Sequence, residues 1–472
     1  MIIDGKTVYS KKTFDVINPY TKEKVGTVPV ATPAQIERAL KLAYKTKPSL
    51  SPIERASILK EISNRLERNK REYAELITSE SGLSLKDALN EIGRVSNVAN
   101  FSSKVAKNIE KDVTDKYIFE SPKGKPKLKI ITEPLDLVVG ITPFNHPMNQ
   151  VAHKVFPAIA AGTCIVLKPS EKTPLSAIKL GELLLEAGLE KNMFNIITGV
   201  PAKAIVSQMT NSPLIDMVTF TGGLSVGLRI AKNMSNSGNT LKRFVPELGG
   251  CSSLIINDDA DITKSAKVVV KGCFKNSGQR CTSIRRIIVV QSIAEEFIDA
   301  LLTEVKRITY GNPYDECIDM GTVISDAAAK MIEKRVNAAI KDGAKLLLGN
   351  KRKSALYSPT VLDSVSISSE LVVKETFGPV APIIRAKTID EAIHFANMTN
   401  YKLAGAIMTK NRELAEKISN ILSVGQFNWN GTPGYRTEAA PFGGFKDSGN
   451  GEKEGVVLAT HGMRRIRTFY EH

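Results

Sequence analysis

The sequence predicts an α/β protein built on parallel, doubly wound sheets, and three observations carry that prediction. Short apolar runs alternate with helical patterns from about residue 135 to 260, and a second alternating series follows from about 260 to 440. The chain has 472 residues, more than one ordinary core holds, so two or three domains are expected. No internal repeat, low-complexity tract or long linker interrupts it.

Taken in order, residues 1–30 read as short strands and turns, with Thr13–Pro19 and Val25–Val28 as the extended pieces. From 32 to 110 the apolar residues recur at helical spacing. Thr32 reads as a cap ahead of Pro33 at an early helical position, and amphipathic helices are predicted over 53–67 and 71–92. Tyr117–Glu120 and Lys127–Glu133 flank Ser121-Pro122-Lys123-Gly124-Lys125-Pro126, which predicts a β-hairpin; because it interrupts a helical region, it is expected to protrude and pair with another subunit. Leu137–Thr142, Cys164–Lys168, Asn195–Thr198 and Met217–Thr221 are the predicted parallel strands, with a helix from Thr173-Pro174 to about Ala187.

Composition narrows the functional classes. Hydrophobic residues make up 42%, and no stretch reaches about 18 apolar residues, so no membrane span is expected. The N-terminus lacks a basic start followed by an apolar run, so no secretory signal is read. The five cysteines (164, 251, 273, 281, 317) are widely spaced and form no C-x-x-C, which suits reduced thiols in a cytoplasmic protein; the five histidines form no metal-ligand cluster, and no metal is expected. The net charge of +16 is spread along the chain without a dense basic tail. It reads as a solvated Lys-rich surface, or as a field that attracts anionic ligands, rather than as a nucleic-acid-binding patch.

Three groups of residues carry chemistry. Thr219–Gly227, with Gly222, Gly223 and Gly227, is a strand end, a Gly-rich turn and a helix start, a place where backbone N–H groups can meet a diphosphate; an ordinary tight turn would look the same. Gly449–Gly455 has similar spacing but no preceding strand, so it fails the dinucleotide pattern. Lys168-Pro169-Ser170-Glu171 ends an apolar strand, where open α/β sheets bind ligands, and its lysine and carboxylate can hydrogen-bond ribose hydroxyls. The third group is Asn145, Glu247 and Cys281. Cys281 follows Gly278-Gln279-Arg280, where backbone N–H groups and a cation would favour a thiolate, the nucleophilic form. Asn145 could serve as an oxyanion donor, and Glu247 precedes two glycines that permit close backbone approach. Singly, a capping Asn, a surface Glu and a core Cys explain them equally well.

Together these motifs resemble the aldehyde dehydrogenase superfamily, in order and nearly end to end: Ile17-Asn18-Pro19, Thr142-Pro143-Phe144-Asn145, Lys168-Pro169-Ser170-Glu171, Phe220-Thr221-Gly222, Glu247-Leu248-Gly249-Gly250, Gly278-Gln279-Arg280-Cys281, Glu375-Thr376-Phe377-Gly378-Pro379 and Pro441–Gly449. The resemblance implies a Rossmann-like cofactor domain (1–112 and 134–246), an α/β catalytic domain (247–442), and an oligomerisation arm with a C-terminal strand (113–133 and 443–472), in a homodimer or homotetramer. It implies Cys281 as the nucleophile that forms a thiohemiacetal and then a thioester, Asn145 and the Cys281 N–H as oxyanion donors, and Glu247 as the base for hydrolysis. Ile141, Thr142, Pro143, Phe144, Lys168, Ser170, Glu171, Gly222, Gly223, Gly227, Leu248, Glu375 and Phe377 fall on cofactor-binding positions. Gly223, where many members have Ser, removes one side-chain donor to the diphosphate, and Cys251 and Thr322 replace the commoner Lys and Pro.

Within the superfamily the chain is most similar to the lactaldehyde, non-phosphorylating glyceraldehyde-3-phosphate and phosphonoacetaldehyde group, through Phe144–Pro147, Gly278–Thr282, Gly431–Arg436 and Lys345–Gly349. His146, Arg280, Thr282 and Arg436 are the expected substrate residues, with Arg94 a further cation. Arginine forks suit phosphate, phosphonate or carboxylate, although they can equally pair with protein carboxylates. A small 2-hydroxyaldehyde such as lactaldehyde is the first expectation, and a phosphorylated or phosphonylated aldehyde or succinate semialdehyde the second. Glu171 favours NAD, with NADP possible. A CoA-acylating enzyme and a non-enzymatic binding protein are the remaining alternatives; intact Asn145, Glu247 and Cys281 weigh against both.

Overall fold

Parallel strands followed by helices build the centre of the molecule in a computed structural model that describes residues 1–116, 126–236 and 241–472. The N-terminal helices begin where the sequence places caps. Thr32 and Gln35 form a capping box around Pro33 at the start of Pro33–Lys45, and Ser51 and Glu54 do the same for Pro52–Arg68. The helix expected over 71–92 is two helices, Lys70–Ser81 and Leu85–Lys116. Gly82 breaks it by adopting a left-handed φ of 74°, and its carbonyl accepts from the Thr322 N–H at 2.8 Å. Helical periodicity is indifferent to such a break, since the apolar stripe resumes on the far side.

One seven-stranded sheet runs in the order Arg243–Glu247, Met217–Thr221, Leu137–Ile141, Cys164–Lys168, Phe194–Ile196, Ile2–Ile3, Lys6–Thr7. Its first five strands are parallel. The strand read as Asn195–Thr198 is Phe194–Ile196. Strand order reverses between Leu137–Ile141 and Met217–Thr221, and the crevice at such a switch point is where open α/β sheets bind ligands. Ile141 lies opposite both Phe220 and Lys168 in the register, so the segments that follow these three strands open onto one crevice.

The second seven-stranded sheet has the order Lys345–Leu348, Thr360–Asp363, Val380–Ala386, Ile284–Val290, Ser252–Ile256, Ala404–Met408, Gln426–Trp429, parallel except for the first pair. One apolar core draws on residues up to Leu248 with Val456 and Met463; two others draw on residues from Leu254 to Leu422. The chain passes from the last strand of the first sheet directly into the second through Leu248-Gly249-Gly250-Cys251, and Cys281 lies three residues before the strand Ile284–Val290. The carboxyl ends of one sheet therefore face the amino ends of the other.

The first arm of the expected hairpin, Tyr117–Glu120, and its turn through Lys125 lie outside the described residues. The second arm is the strand Lys127–Pro134, which pairs antiparallel with the C-terminal strand Arg464–Glu471. Ile466, Phe469 and Tyr470 on that ribbon are exposed. Among the described residues no helix is long and apolar enough to cross a membrane.

A Cβ at position 82 would collide with the Thr322 hydroxyl and with Pro19 while forcing an unfavourable φ. Gly82→Ala is therefore expected to cost about 1–3 kcal/mol and to lower the urea midpoint; an unchanged midpoint would contradict the assigned break.

Candidate active site

The geometry starts from a left-handed stretch of backbone. Asn276, Ser277 and Gly278 have φ values of 62°, 52° and 68°, so three consecutive residues occupy a region that L side chains rarely adopt. Such strain persists only when the surroundings over-determine it, and here they do. The Asn276 N–H donates to Asp87 Oδ2 at 2.7 Å, and its side-chain amide donates to the Asn145 carbonyl at 2.8 Å. Ser277 Oγ donates to the Gly321 carbonyl, Gln279 Oε1 accepts from the Ile324 N–H, and Arg285 donates to the Gly278 carbonyl. A side chain at Gly278 would strike the Gly378 carbonyl, and one at Gly250 would strike the Cys281 carbonyl. The turn is fixed on every side and delivers Cys281 partly exposed.

Asn145 is buried beside this turn, and its Nδ2 donates to the Gln279 carbonyl at 2.8 Å. A carboxamide carries two N–H donors, so one anchors the side chain to the loop before Cys281 and the second is left for another acceptor. His146 stands next to it, with Nδ1 3.3 Å from Glu91 Oε2; Glu91 also accepts from the N–H groups of Met148 and Asn149. Burial pushes the His146 pKa down against the pull of Glu91.

Glu247 ends the edge strand of the first sheet, opposite Thr221. It is 2% exposed, and neither carboxylate oxygen has a hydrogen-bond partner. Burial, reinforced by Glu454, raises its pKa well above the usual carboxylate range. Cys281 departs from the thiolate expectation. Burial, with Glu375 and Glu247 adding to it, pushes its thiol up to about 12, and Arg436 and Arg280 offset only part of this. The N–H groups and cation before the cysteine are outweighed by desolvation of the sulfur.

At the switch-point crevice, buried Lys168 lies 3.3 Å from Glu171 Oε2 and also donates to the Pro169 carbonyl. Burial lowers the Lys168 pKa against Glu171; burial opposes ionisation of Glu171, and Lys168 more than offsets it. Ser170 Oγ accepts from the Lys172 N–H. Across the crevice, Gly222 and Gly227 could not carry side chains without striking Phe220 or Leu248, whereas a Cβ at Gly223 meets nothing within 4 Å. The turn at the start of Leu224–Asn236 is thus open to a ligand, and Thr221 Oγ1 is buried there without a partner. These features fit a dinucleotide diphosphate. Ile141 and Thr142 are buried at the strand end, Pro143 and Phe144 partly exposed, and Phe144 meets Phe377 edge-to-face at 5.8 Å. Leu248 is buried and donates its N–H to the Ser448 carbonyl. Glu375 accepts from the Gly250 N–H at 3.1 Å, and burial raises its pKa.

A cavity of about 470 Å³ opens beside the turn that leads to Cys281, lined among others by Arg94, His146, Arg280, Tyr435 and Arg436. The three arginines differ in their partners. Arg94 makes a two-point ion pair with Glu438 at 2.7 and 3.3 Å. Arg280 donates to the carbonyls of Lys271 and Gly272 at the end of helix Ile262–Phe274. Arg436 stacks on Phe442 at 4.0 Å, and its buried Nη1 has no partner. Thr282 is buried against Gly434. Two residues that the sequence reading passed over do much of the holding: Asp87 and Glu91, spaced with Arg94 at i, i+4, i+7, turn one face of helix Leu85–Lys116 toward three segments of the site. That charged stripe on an otherwise apolar helix face was the available signal.

The aldehyde dehydrogenase family model matches residues 7–468. A lactaldehyde dehydrogenase of Methanococcus aeolicus is 34% identical over 475 residues, covering 99% of each chain. A 3-sulfolactaldehyde dehydrogenase of Priestia aryabhattai is 34% identical over 469 residues, covering 99% of this chain and 96% of its own. The solved structure of glyceraldehyde-3-phosphate dehydrogenase GapN of Methanocaldococcus jannaschii complexed with NADP superposes with a TM-score of 0.90 at 34% identity, covering 98% of this chain and 99% of its own. The chain belongs to the aldehyde dehydrogenase family and is an NAD(P)-dependent, aldehyde-oxidising oxidoreductase.

Proposed function

We propose that this enzyme oxidises a small, hydrophilic 2-hydroxyaldehyde of the lactaldehyde type to its carboxylic acid, with NAD preferred and NADP tolerated. The observation that carries the substrate reading is the division of labour among the arginines. Phosphate-binding sites gather several free guanidinium or ammonium groups. Here Arg94 is paired with Glu438 and Arg280 gives its Nη2 to main-chain carbonyls, while Arg280 Nε and Arg436 Nη1 each remain a buried donor without a partner. Two single donors on separate side chains, rather than a cluster of free forks, suit hydroxyl and carbonyl oxygens. The lactaldehyde dehydrogenase of Methanococcus aeolicus supports the same class. A second reading, a 2-hydroxyaldehyde with an anionic head, is favoured by the absence of any carboxylate bonded to Arg436 and by the 3-sulfolactaldehyde dehydrogenase of Priestia aryabhattai.

In this reading the Cys281 sulfur attacks the aldehyde carbon and gives a thiohemiacetal. The second N–H of Asn145 and the Cys281 N–H hold the developing oxyanion; one such donor is typically worth about 3–4 kcal/mol. NAD(P), when bound, supplies the acceptor for the hydride. Lys168 and Glu171 would hold its adenosine ribose, the Gly222–Gly223 turn its diphosphate, and Glu375 and Phe377 its nicotinamide end. The acyl group then stays on Cys281 as a thioester until Glu247 removes a proton from the attacking water. Glu171 supports the NAD preference, because a carboxylate there repels a 2′-phosphate.

Glu247 works as a base only when ionised, and its pKa is raised, so its active fraction keeps growing with pH beyond the usual carboxylate range. The kcat is expected to increase with pH over that limb. In Glu247→Gln, kcat should fall by about 100-fold or more and the limb should disappear; a retained limb would exclude Glu247 as the base. For the substrate, kcat/KM with NAD and with NADP should be compared for lactaldehyde, sulfolactaldehyde, glyceraldehyde-3-phosphate and phosphonoacetaldehyde. The first reading predicts that lactaldehyde with NAD leads. A preference of about tenfold or more for an anionic aldehyde, a difference of some 1.4 kcal/mol in transition-state binding, or strict NADP dependence, would overturn it.

A further inference from the structure

We propose that Arg285 is a positioning residue that ties the nucleophile's turn to the loop carrying Glu375 and Phe377, so that seating of a ribose against that loop is felt at Cys281. The inference rests on the reading that Cys281 is the nucleophile and Glu375 faces the cofactor.

Arg285 lies on the strand Ile284–Val290 and is 1% exposed. Burying a guanidinium is costly unless its donors are satisfied. Among the described residues no carboxylate accepts from it, and its buried Nε has no partner. Its Nη1 donates to the Gly378 carbonyl at 2.8 Å, and its Nη2 to the carbonyls of Gly278 and, at 3.4 Å, Arg280. The three acceptors belong to the two segments where the chemistry is placed. Gly278 and Arg280 flank Gln279 in the turn that delivers Cys281, and Gly378 follows Phe377, whose ring centroid lies 5.9 Å from the Arg285 guanidinium carbon. The two segments touch directly, since any side chain at Gly278 would enter the Gly378 carbonyl. A second arginine, Arg335, holds the near end of the same loop through the Glu375 carbonyl at 2.7 Å and Thr376 Oγ1 at 3.3 Å. The loop is pinned at both ends, and its far pin is shared with the nucleophile.

The adjacent Arg286 provides an internal comparison. It is 4% exposed and also binds only carbonyls, but those of Cys251, Phe395 and Ala396, which include the end of helix Ile389–Asn397. Burial of an arginine on this strand is thus common to both positions, while the link between the two site segments is particular to Arg285. A planar fork transmits a shift of one carbonyl to the others in a way that a lysine ammonium, a single point of attachment, does not.

The test uses ADP-ribose, which carries the ribose but no nicotinamide ring and so cannot touch Cys281 through the ring. The rate of Cys281 alkylation by iodoacetamide is measured with and without saturating ADP-ribose, saturation being checked by calorimetry. ADP-ribose is expected to change the wild-type rate by about fivefold, a typical coupling between two sites. In Arg285→Lys the change should shrink to less than about twofold with binding retained, and in Arg286→Lys it should persist even if the melting temperature falls. An unchanged rate in saturated wild type, an undiminished change in Arg285→Lys, or equal loss in Arg286→Lys would overturn the proposal. Should Arg285→Lys not fold, hydrogen exchange of the wild type reads the same link. Joint protection of residues 276–283 and 376–380 by ADP-ribose supports it, and protection confined to 376–380 overturns it. Failure of every aldehyde assay with this coupling intact would overturn the substrate reading and leave this inference standing.

Discussion

The left-handed turn at Asn276-Ser277-Gly278 is the constraint on which the rest of the site depends. An extended or helical path here would aim the following residues elsewhere, and the Gln279 carbonyl would not meet the amide of Asn145. The backbone cost of three such residues, about 1–3 kcal/mol each for the two that are not glycine, is offset by contacts from separate parts of the chain. Asp87 reaches in from a long helix, Asn145 from the loop after a strand of the first sheet, and Arg285 from within the second sheet. The turn is therefore where the two sheets and the N-terminal helices agree on one geometry.

Electrostatics add a second layer. Burial raises the pKa of both Cys281 and Glu247. In the proposed mechanism each acts after losing a proton, so proton removal is needed at two points. Arginines surround the site, yet most are committed: Arg94 to Glu438, Arg280 to helix-end carbonyls, Arg285 and Arg286 to main chain. This explains how a strongly basic chain can present a cavity lined by Arg94, Arg280 and Arg436 in which only Arg280 Nε and Arg436 Nη1 are buried guanidinium donors without a partner.

Much of the framework was legible in the sequence because local rules decide it. Cys164–Lys168 and Met217–Thr221 are strands with the bounds that their apolar runs predicted, and Thr32 caps its helix as its pattern required. Asn145, Glu247 and Cys281 stood out through the residues around them. What stayed hidden depends on tertiary contact. The break at Gly82 is packed against Thr322, a contact 240 positions away in the chain that no local pattern reveals. The pairing of Lys127–Pro134 with Arg464–Glu471 joins segments more than 300 positions apart. The roles of Asp87, Glu91 and Arg285 arise from which main-chain groups they meet, and the direction of the Cys281 pKa shift from how much water the fold removes.

The central claim is that Cys281 carries the acyl group and Glu247 releases it. Mass spectrometry of Glu247→Gln, quenched after mixing with lactaldehyde and NAD, tests this most directly. The account predicts about one acyl group per chain, on the peptide that contains Cys281, because hydrolysis has lost its base while thioester formation has not. An unmodified Cys281 in a variant that still reduces NAD, or acyl groups attached elsewhere, would contradict it.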